Sequence, residues 1–479
     1  MMNNFDMMIP GASESGRLSV TSPWNGEVIG SVPVINSKAA EHALRISSST
    51  FQNRKKWLSE SQRIDILKRT AGIMETMAEM LADEAAREGG KPLADSSVEV
   101  ARAIDGVLNA IDLLKSQAGK GIPMNINAAS EKRLAFTTHE PIGVVLAISA
   151  FNHPLNLIVH QIIPAIASGC PVIIKPAEDT PLSCFRLVNI LREAGLPDEY
   201  CMAIMTESLE VSEQLVSDSR LGFFSFIGSA KVGWMLRSKL APGVRCALEH
   251  GGAAPVIISE DADLDDILPL LAKGGLYHAG QVCVSVQRVF AHRSIVDDVT
   301  AKLAELANAM SCGDPNEALT EVGPLIRHAE VDRISAWVDE AVEQGATLVT
   351  GGEKIGNSCY ACTVLLEPDR QSKVSQQEIF GPVICVYAFD ELDEAIEQAN
   401  SLPFSFQAAV ATNSIDTAIY CYKNLNASAV MVNDHTAFRV DWMPFAGLKQ
   451  SGLGVGGIPY TFHEMQIEKM LVIRSNALK

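Results

Sequence analysis

Residues 143–179 read GVVLAISAFNHPLNLIVHQIIPAIASGCPVIIKPAED, two short apolar runs, Gly143 to Ala150 and Pro171 to Ala177, around a stretch of helical character. Runs of this length without polar alternation fit strands buried on both faces, and their alternation with a helix is the mark of parallel β units. The same rhythm continues outward. FFSFIGS (223–229) closes another buried run before helix-like KVGWMLRSKLA, and PVIIS resumes after Gly251-Gly252. Strand-like segments then recur in CVSVQRVFAH, ATLVTGG, CTVLLE, VICVYAF and SAVMVND. Upstream, residues 38–118 are rich in Ala, Leu, Glu, Lys and Arg with apolar positions at helical spacing, and predict consecutive helices. RLAFTTHE (133–140) alternates like an exposed strand. The expected fold is α/β, with two doubly wound units in series.

Bulk properties narrow the function. At 479 residues the chain exceeds the size at which single cores stop growing, so more than one domain is expected, with room for a cleft between them. A formal net charge of -18 opposes binding to nucleic acid. No apolar run is long enough to span a membrane and the opening residues lack a signal-peptide pattern, so the expected compartment is the cytoplasm. Ten cysteines are scattered, without the spacing of a disulfide framework. Cys359 and Cys362 form one CxxC, but with no second CxxC or HxxxH partner it reads as part of a strand, and no metal is expected.

Several residues stand where chemistry is done. Cys283 precedes an apolar run in GQVCVSVQRV, where an ordinary buried thiol is the commoner case. Glu249 precedes two glycines that permit close backbone approach. Asn152 follows a buried strand, at the carboxyl end where open α/β sheets place ligands, although Asn before His-Pro is also good turn chemistry. Gly228 and Ser229 join a strand to a helix whose first N–H groups suit a phosphate. Lys175 and Glu178 end another strand, placed either to hold ribose hydroxyls or to form a surface ion pair.

Each signal is weak alone, but their order is specific. GEVIGSVP, EGGKPL, EPIGVVLAISAFNHP, KPAEDTPLS, FIGSAKVG, ALEHGGAAPVII, GQVCVSVQRV, EIFGPV and PFAGLKQSGLG follow one another through nearly the whole chain, which resembles the aldehyde dehydrogenase superfamily. The resemblance implies oxidation of an aldehyde with NAD, preferred over NADP because Glu178 would repel a 2′-phosphate. It implies Cys283 as nucleophile, Glu249 as general base and Asn152 as oxyanion donor. Lys175 and Glu178 would hold the adenosine ribose, Gly228 and Ser229 would face the pyrophosphate, and Glu378 with Phe380 would contact the nicotinamide riboside. It also implies a dinucleotide-binding domain (1–121 and 141–250), a catalytic domain (251–459) and bridging strands (122–140 and 460–479) that join a homodimer or homotetramer.

The chain departs from the family pattern in three places, one of them Ala150-Phe151, which precedes Asn152 where Pro-Trp is usual. Many relatives read SGxGRE where this chain has SGLGVGG, so Gly456 replaces a glutamate, and Gln161 stands where lysine is frequent. FNHP, Arg102 and FRVDWMPFAGLKQSG are similar to the phosphonoacetaldehyde and lactaldehyde dehydrogenase-like branch, with Val282 where the phosphonoacetaldehyde branch has arginine. Arg102, His153 and Arg439 are the expected substrate contacts, arginine suiting a phosphonate, sulfonate or carboxylate by forked hydrogen bonding. Phosphonoacetaldehyde is the first candidate. Lactaldehyde, a semialdehyde or a sulfonated aldehyde stay open, as do release of the acyl group to coenzyme A and a non-catalytic binding role.

Overall fold

The computed structural model describes residues 3–478. Its centre is a six-stranded sheet ordered Gly452–Leu453, Arg245–Glu249, Leu221–Ile227, Val144–Ile148, Val172–Lys175, Cys201–Ala203, parallel except for the first, short strand. Because side chains alternate across a strand, Val145, Ala147, Val172, Ile174 and Phe223 face one core, while Val144, Leu146, Ile173 and Phe224 face another. Both faces are buried, which is why these strands carry apolar runs instead of alternation. The first core lies against the helices of the 60–116 region and Asn156–Ser168, whose residues are all buried. That helix ends at Gly169, whose φ of +91° suits glycine, and the chain turns there into Val172–Lys175.

A seven-stranded sheet follows, ordered Thr347–Thr350, Thr363–Leu366, Val383–Phe389, Val286–His292, Ala254–Ile258, Gln407–Ala411, Ala429–Val432, with only the first strand antiparallel. The fold is thus two doubly wound α/β sheets, as the rhythm of apolar runs predicts. A third, antiparallel sheet pairs Gln466–Arg474 with Arg133–Pro141 and Gly121–Ile122. Leu134, Phe136, Met470 and Val472 are exposed on it.

Topology fixes where a ligand goes. In the first sheet the chain builds outward from Val144–Ile148 in one direction, then returns to add Leu221–Ile227 on its other side. The crevice beyond the carboxyl ends of those two neighbours is a topological switch point, where open α/β sheets bind their ligands. Glu249 ends the next strand of the same sheet, and five residues later the chain enters the second sheet at Ala254. One difference from the sequence reading concerns the segment 283–292. The strand begins only at Val286, and Cys283 to Ser285 form a turn closed by the Ser285 N–H to the Val282 carbonyl at 3.0 Å.

Candidate active site

A cavity of about 900 Å³ occupies the crevice, and it is lined by all twelve residues singled out from the sequence. Lys175, Glu178, Gly228 and Ser229 belong to the ends of the first sheet's strands. Cys283, Glu249 and Arg439 gather at the junction with the second sheet.

Asn152 is 5% exposed, and its Nδ2 donates to the Gln281 carbonyl at 2.9 Å. One amide hydrogen is therefore spent on tying the two loops together, and the other remains. Gln281 is itself clamped: its Nε2 donates to the His278 and Pro324 carbonyls at 3.2 and 3.3 Å, and its Oε1 accepts the Ile326 N–H at 2.9 Å. Sequence reasoning did not single it out, although its place two residues before Cys283 was the available signal. The clamp holds the turn carrying Cys283, preceded by His278 and Ala279 with φ of 50° and 53°.

Burial pushes the Cys283 thiol up to about 12, with Arg439 pulling it down and Glu378 and Glu249 pushing it up. At neutral pH the resting thiol keeps its proton, so a thiolate forms only when a base or a local cation assists. Burial raises Glu249 as well, and Arg439 again opposes the shift. Arg439 is the cation common to both groups.

The departure at Gly456 has a steric reason. A Cβ there would run into Glu249 Oε1, so the glycine leaves a slot that the Glu249 carboxyl occupies, and a glutamate in its place would displace it. Among the described residues none donates a hydrogen bond to that carboxyl. Gln161, another departure, instead ties the two central strands together, its Nε2 donating to Ser225 Oγ at 3.0 Å and to the Ile148 carbonyl at 3.2 Å.

The two arginines are held differently. Arg102 forks onto Asp441 through Nε at 3.0 Å and Nη2 at 2.7 Å. Asp441, 1% exposed, also accepts from His160 Nε2 at 2.6 Å and Asn156 Nδ2 at 3.2 Å. Because a carboxylate held below its usual range cannot donate, His160 carries its hydrogen on Nε2 and presents a lone pair at Nδ1, which accepts from Arg439 Nη2 at 3.3 Å. Arg439 lies 3.6 Å over the Phe445 ring, and its Nε has no partner. Arg102 is neutralised by its carboxylate partner, whereas Arg439 lines the cavity and, among the described residues, is hydrogen-bonded to no carboxylate.

The outer part of the cavity suits a dinucleotide. Ser229 precedes the helix Ala230–Arg237 without using its side chain as a cap, so the first N–H groups of that helix are left for an anion. His250 Nδ1, 2.8 Å from the Gly228 carbonyl, fixes the turn before it. Lys175 Nζ lies 3.6 Å from Glu178 Oε1, a cation and a carboxylate side by side at a strand end. Glu378 accepts the Gly252 N–H at 3.2 Å and fills the place a Cβ at Gly251 would need. Burial raises its carboxyl to about 8, so it is mainly protonated at neutral pH and available as a donor. Phe380, at φ 50°, meets Phe151 edge-on at 5.8 Å between ring centroids.

Comparison with known proteins matches residues 11–471 to the aldehyde dehydrogenase family. The chain is 36% identical over 458 residues to 3-sulfolactaldehyde dehydrogenase of Priestia aryabhattai, covering 95% of each chain. It is 34% identical over 460 residues to lactaldehyde dehydrogenase of Methanocaldococcus jannaschii, covering 95% of this chain and 97% of that one. The crystal structure of glyceraldehyde-3-phosphate dehydrogenase from Methanocaldococcus jannaschii complexed with NADP superimposes with a TM-score of 0.91 at 34% identity, covering 96% of this chain and 99% of that one. Among the described residues no helix is long and apolar enough to cross a membrane.

Proposed function

The chain belongs to the aldehyde dehydrogenase family, and from that premise we propose that it oxidises a small aldehyde bearing one negative charge to the corresponding acid, with NAD, through a thioester on Cys283. The observation that carries the proposal is the one cavity lined by Cys283, Glu249, Asn152 and Arg439, whose guanidinium is hydrogen-bonded to the neutral His160 and, among the described residues, to no carboxylate.

The chemistry follows from what each group can do. Cys283 Sγ attacks the aldehyde carbon as its proton passes to water in the cavity, with the Arg439 charge favouring the thiolate, and the carbonyl electrons move onto oxygen. That oxygen is met by the remaining Asn152 amide hydrogen and the Cys283 N–H, donors aimed at charge that exists only after attack. A bound nicotinamide supplies the hydride acceptor, Lys175, Glu178, Gly228, Ser229, Glu378 and Phe380 being the residues that would hold the dinucleotide. Loss of hydride from the tetrahedral carbon restores its C=O bond and leaves a thioester. Glu249 then takes a proton from water as the water oxygen bonds to the acyl carbon. Collapse breaks the C–S bond and frees the carboxylic acid. With no hydrogen-bond partner on its carboxyl among the described residues, Glu249 passes the proton directly to water in the cavity.

Charge selects the substrate. Arg102 and Asp441 cancel, and His160, depressed to about 4 chiefly by burial, is neutral, so Arg439 is the cation of this cluster with no carboxylate hydrogen-bonded to it among the described residues. A sulfonate matches it. A phosphonate dianion would place surplus negative charge beside Glu249, which must itself ionise, so 3-sulfolactaldehyde displaces phosphonoacetaldehyde as the first candidate. Assays following NADH absorbance are expected to give a higher kcat/KM for the sulfonated aldehyde than for lactaldehyde or phosphonoacetaldehyde. Arg439→Met should cut the sulfonate preference by about 10- to 100-fold, the range of one charge-assisted contact. Because Arg439 lowers Glu249, its removal should also move the acid limb of the pH–rate profile upward. Equal rates with sulfonated and neutral aldehydes in the unaltered enzyme would refute the substrate assignment.

Parallel assays are expected to favour NAD over NADP, since the Glu178 carboxylate beside Lys175 accepts a ribose hydroxyl and repels a 2′-phosphate. In this reading residues 1–121 and 141–250 form the nucleotide half and 251–459 the catalytic half of a cytoplasmic enzyme. The exposed apolar strands of 122–140 and 460–479 would meet a second copy of the chain.

A further inference from the structure

His153 lies one residue beyond Asn152 and lines the same cavity. Behind it are Lys91 and Glu99, only 1% and 3% exposed. Lys91 Nζ pairs with Glu99 Oε2 and lies 2.6 Å from His153 Nδ1. Glu99 Oε1 accepts the N–H groups of Leu155 and Asn156, each at 2.9 Å, so its carboxylate also starts the helix that follows the Asn152 loop. A charge pair sealed this deeply costs desolvation that a pair of apolar side chains would avoid, and the mechanism above leaves it unused.

Its consequence is a matter of hydrogens. An ammonium has three hydrogens and no lone pair, so Nδ1 of His153 accepts from Lys91, and the single hydrogen of the neutral ring resides on Nε2. Nε2 makes no hydrogen bond among the described residues and is not one of the sealed, partnerless polar atoms. It opens on the cavity. The charged and titratable groups around the ring are Lys91, Glu99, Arg102 and His278. Burial first, then the Lys91 charge, lowers His153 to about 4, so it does not gain a second proton near neutrality.

We propose that the buried Lys91–Glu99 pair locks His153 as an Nε2–H donor, and that this donor selects aldehydes carrying an oxygen on the carbon next to the carbonyl. The carbonyl oxygen is taken by Asn152 and the Cys283 N–H, and the acid group by Arg439. A donor one residue along the loop from Asn152 serves the substituent between them. The proposal rests on the reading of this cavity as the aldehyde site, but not on the charge of the substrate.

The test is the ratio of kcat/KM for lactaldehyde to that for propanal, two neutral aldehydes differing by one hydroxyl. Both are assayed on the same preparation, so the folded fraction and any general loss of activity cancel, and a failure of the sulfonate assignment leaves the ratio untouched. In the unaltered enzyme the ratio should favour lactaldehyde and stay level from about pH 5.5 to about pH 9. His153→Leu should lower it about tenfold, the worth of one donor left without its partner. In Lys91→Met the ring faces Glu99 without the ammonium, which raises its affinity for a second proton. Below that raised pKa, Nε2 keeps its hydrogen and the ratio is retained; above it, the remaining hydrogen turns to Nδ1 toward Glu99, and the ratio falls as pH rises. A ratio unchanged in His153→Leu, or as level with pH in Lys91→Met as in the unaltered enzyme, would overturn the proposal.

Discussion

Glu249→Gln is expected to slow steady-state turnover by ~10²- to 10⁴-fold, the usual contribution of a positioned general base, while leaving the first turnover visible as a burst of NADH. The split follows from the order of steps. Hydride leaves before water enters, so a variant unable to take the water proton stalls with the acyl group on sulfur. The Gly456 slot makes the effect purer here. Among the described residues no second carboxylate acts on Glu249, and Gln fits the same space without a side chain at 456 to meet. The acid limb of the pH–rate profile should disappear with the carboxyl. In the unaltered enzyme that limb lies above the ordinary carboxylate range, since burial outweighs Arg439 in setting the Glu249 pKa.

Asn152→Ala is expected to lower kcat by ~10²- to 10³-fold, the cost of one oxyanion donor, and unlike Glu249→Gln it should abolish the burst. Attack itself is slowed, so neither NADH nor thioester accumulates. NAD affinity should change little, because the groups proposed to hold the dinucleotide lie on other loops. Part of the loss has a second origin. The Asn152 amide also ties its loop to Gln281 at 2.9 Å, so the Cys283 turn loses an anchor. Asn152→Asp separates the two effects. A carboxylate at that place would repel the alkoxide and could not donate to the Gln281 carbonyl, so its rate should fall below that of Asn152→Ala. Equal kcat in Asn152→Ala and the unaltered enzyme would remove Asn152 from the mechanism.

The sheets were legible because strands buried on two faces need continuous apolar runs, and 144–148, 172–175 and 221–227 have them. Cys283 was legible only through the motifs around it, since a thiol before a strand carries no signature of its own. What the sequence left hidden is which charges remain free. Arg102 and Arg439 look alike as letters. Asp441, two residues from Arg439 but 339 from Arg102, neutralises the more distant arginine. The His153 donor is hidden for the same reason. Its tautomer is set by Lys91, 62 residues away, and Lys91 is paired with Glu99 on the following helix. Gly456, which in sequence only replaces a glutamate of the family pattern, is contact space for Glu249, a fact about a missing Cβ that only coordinates supply.

The central claim is a covalent acyl group on Cys283, and the most direct measurement is peptide mass spectrometry of Glu249→Gln quenched in acid after mixing with NAD and aldehyde. The predicted result is one acyl mass per chain on the peptide carrying Cys283, formed with the NADH burst and absent without NAD. An NADH burst with Cys283 unmodified, or the acyl mass on any of the other nine cysteines, would contradict it.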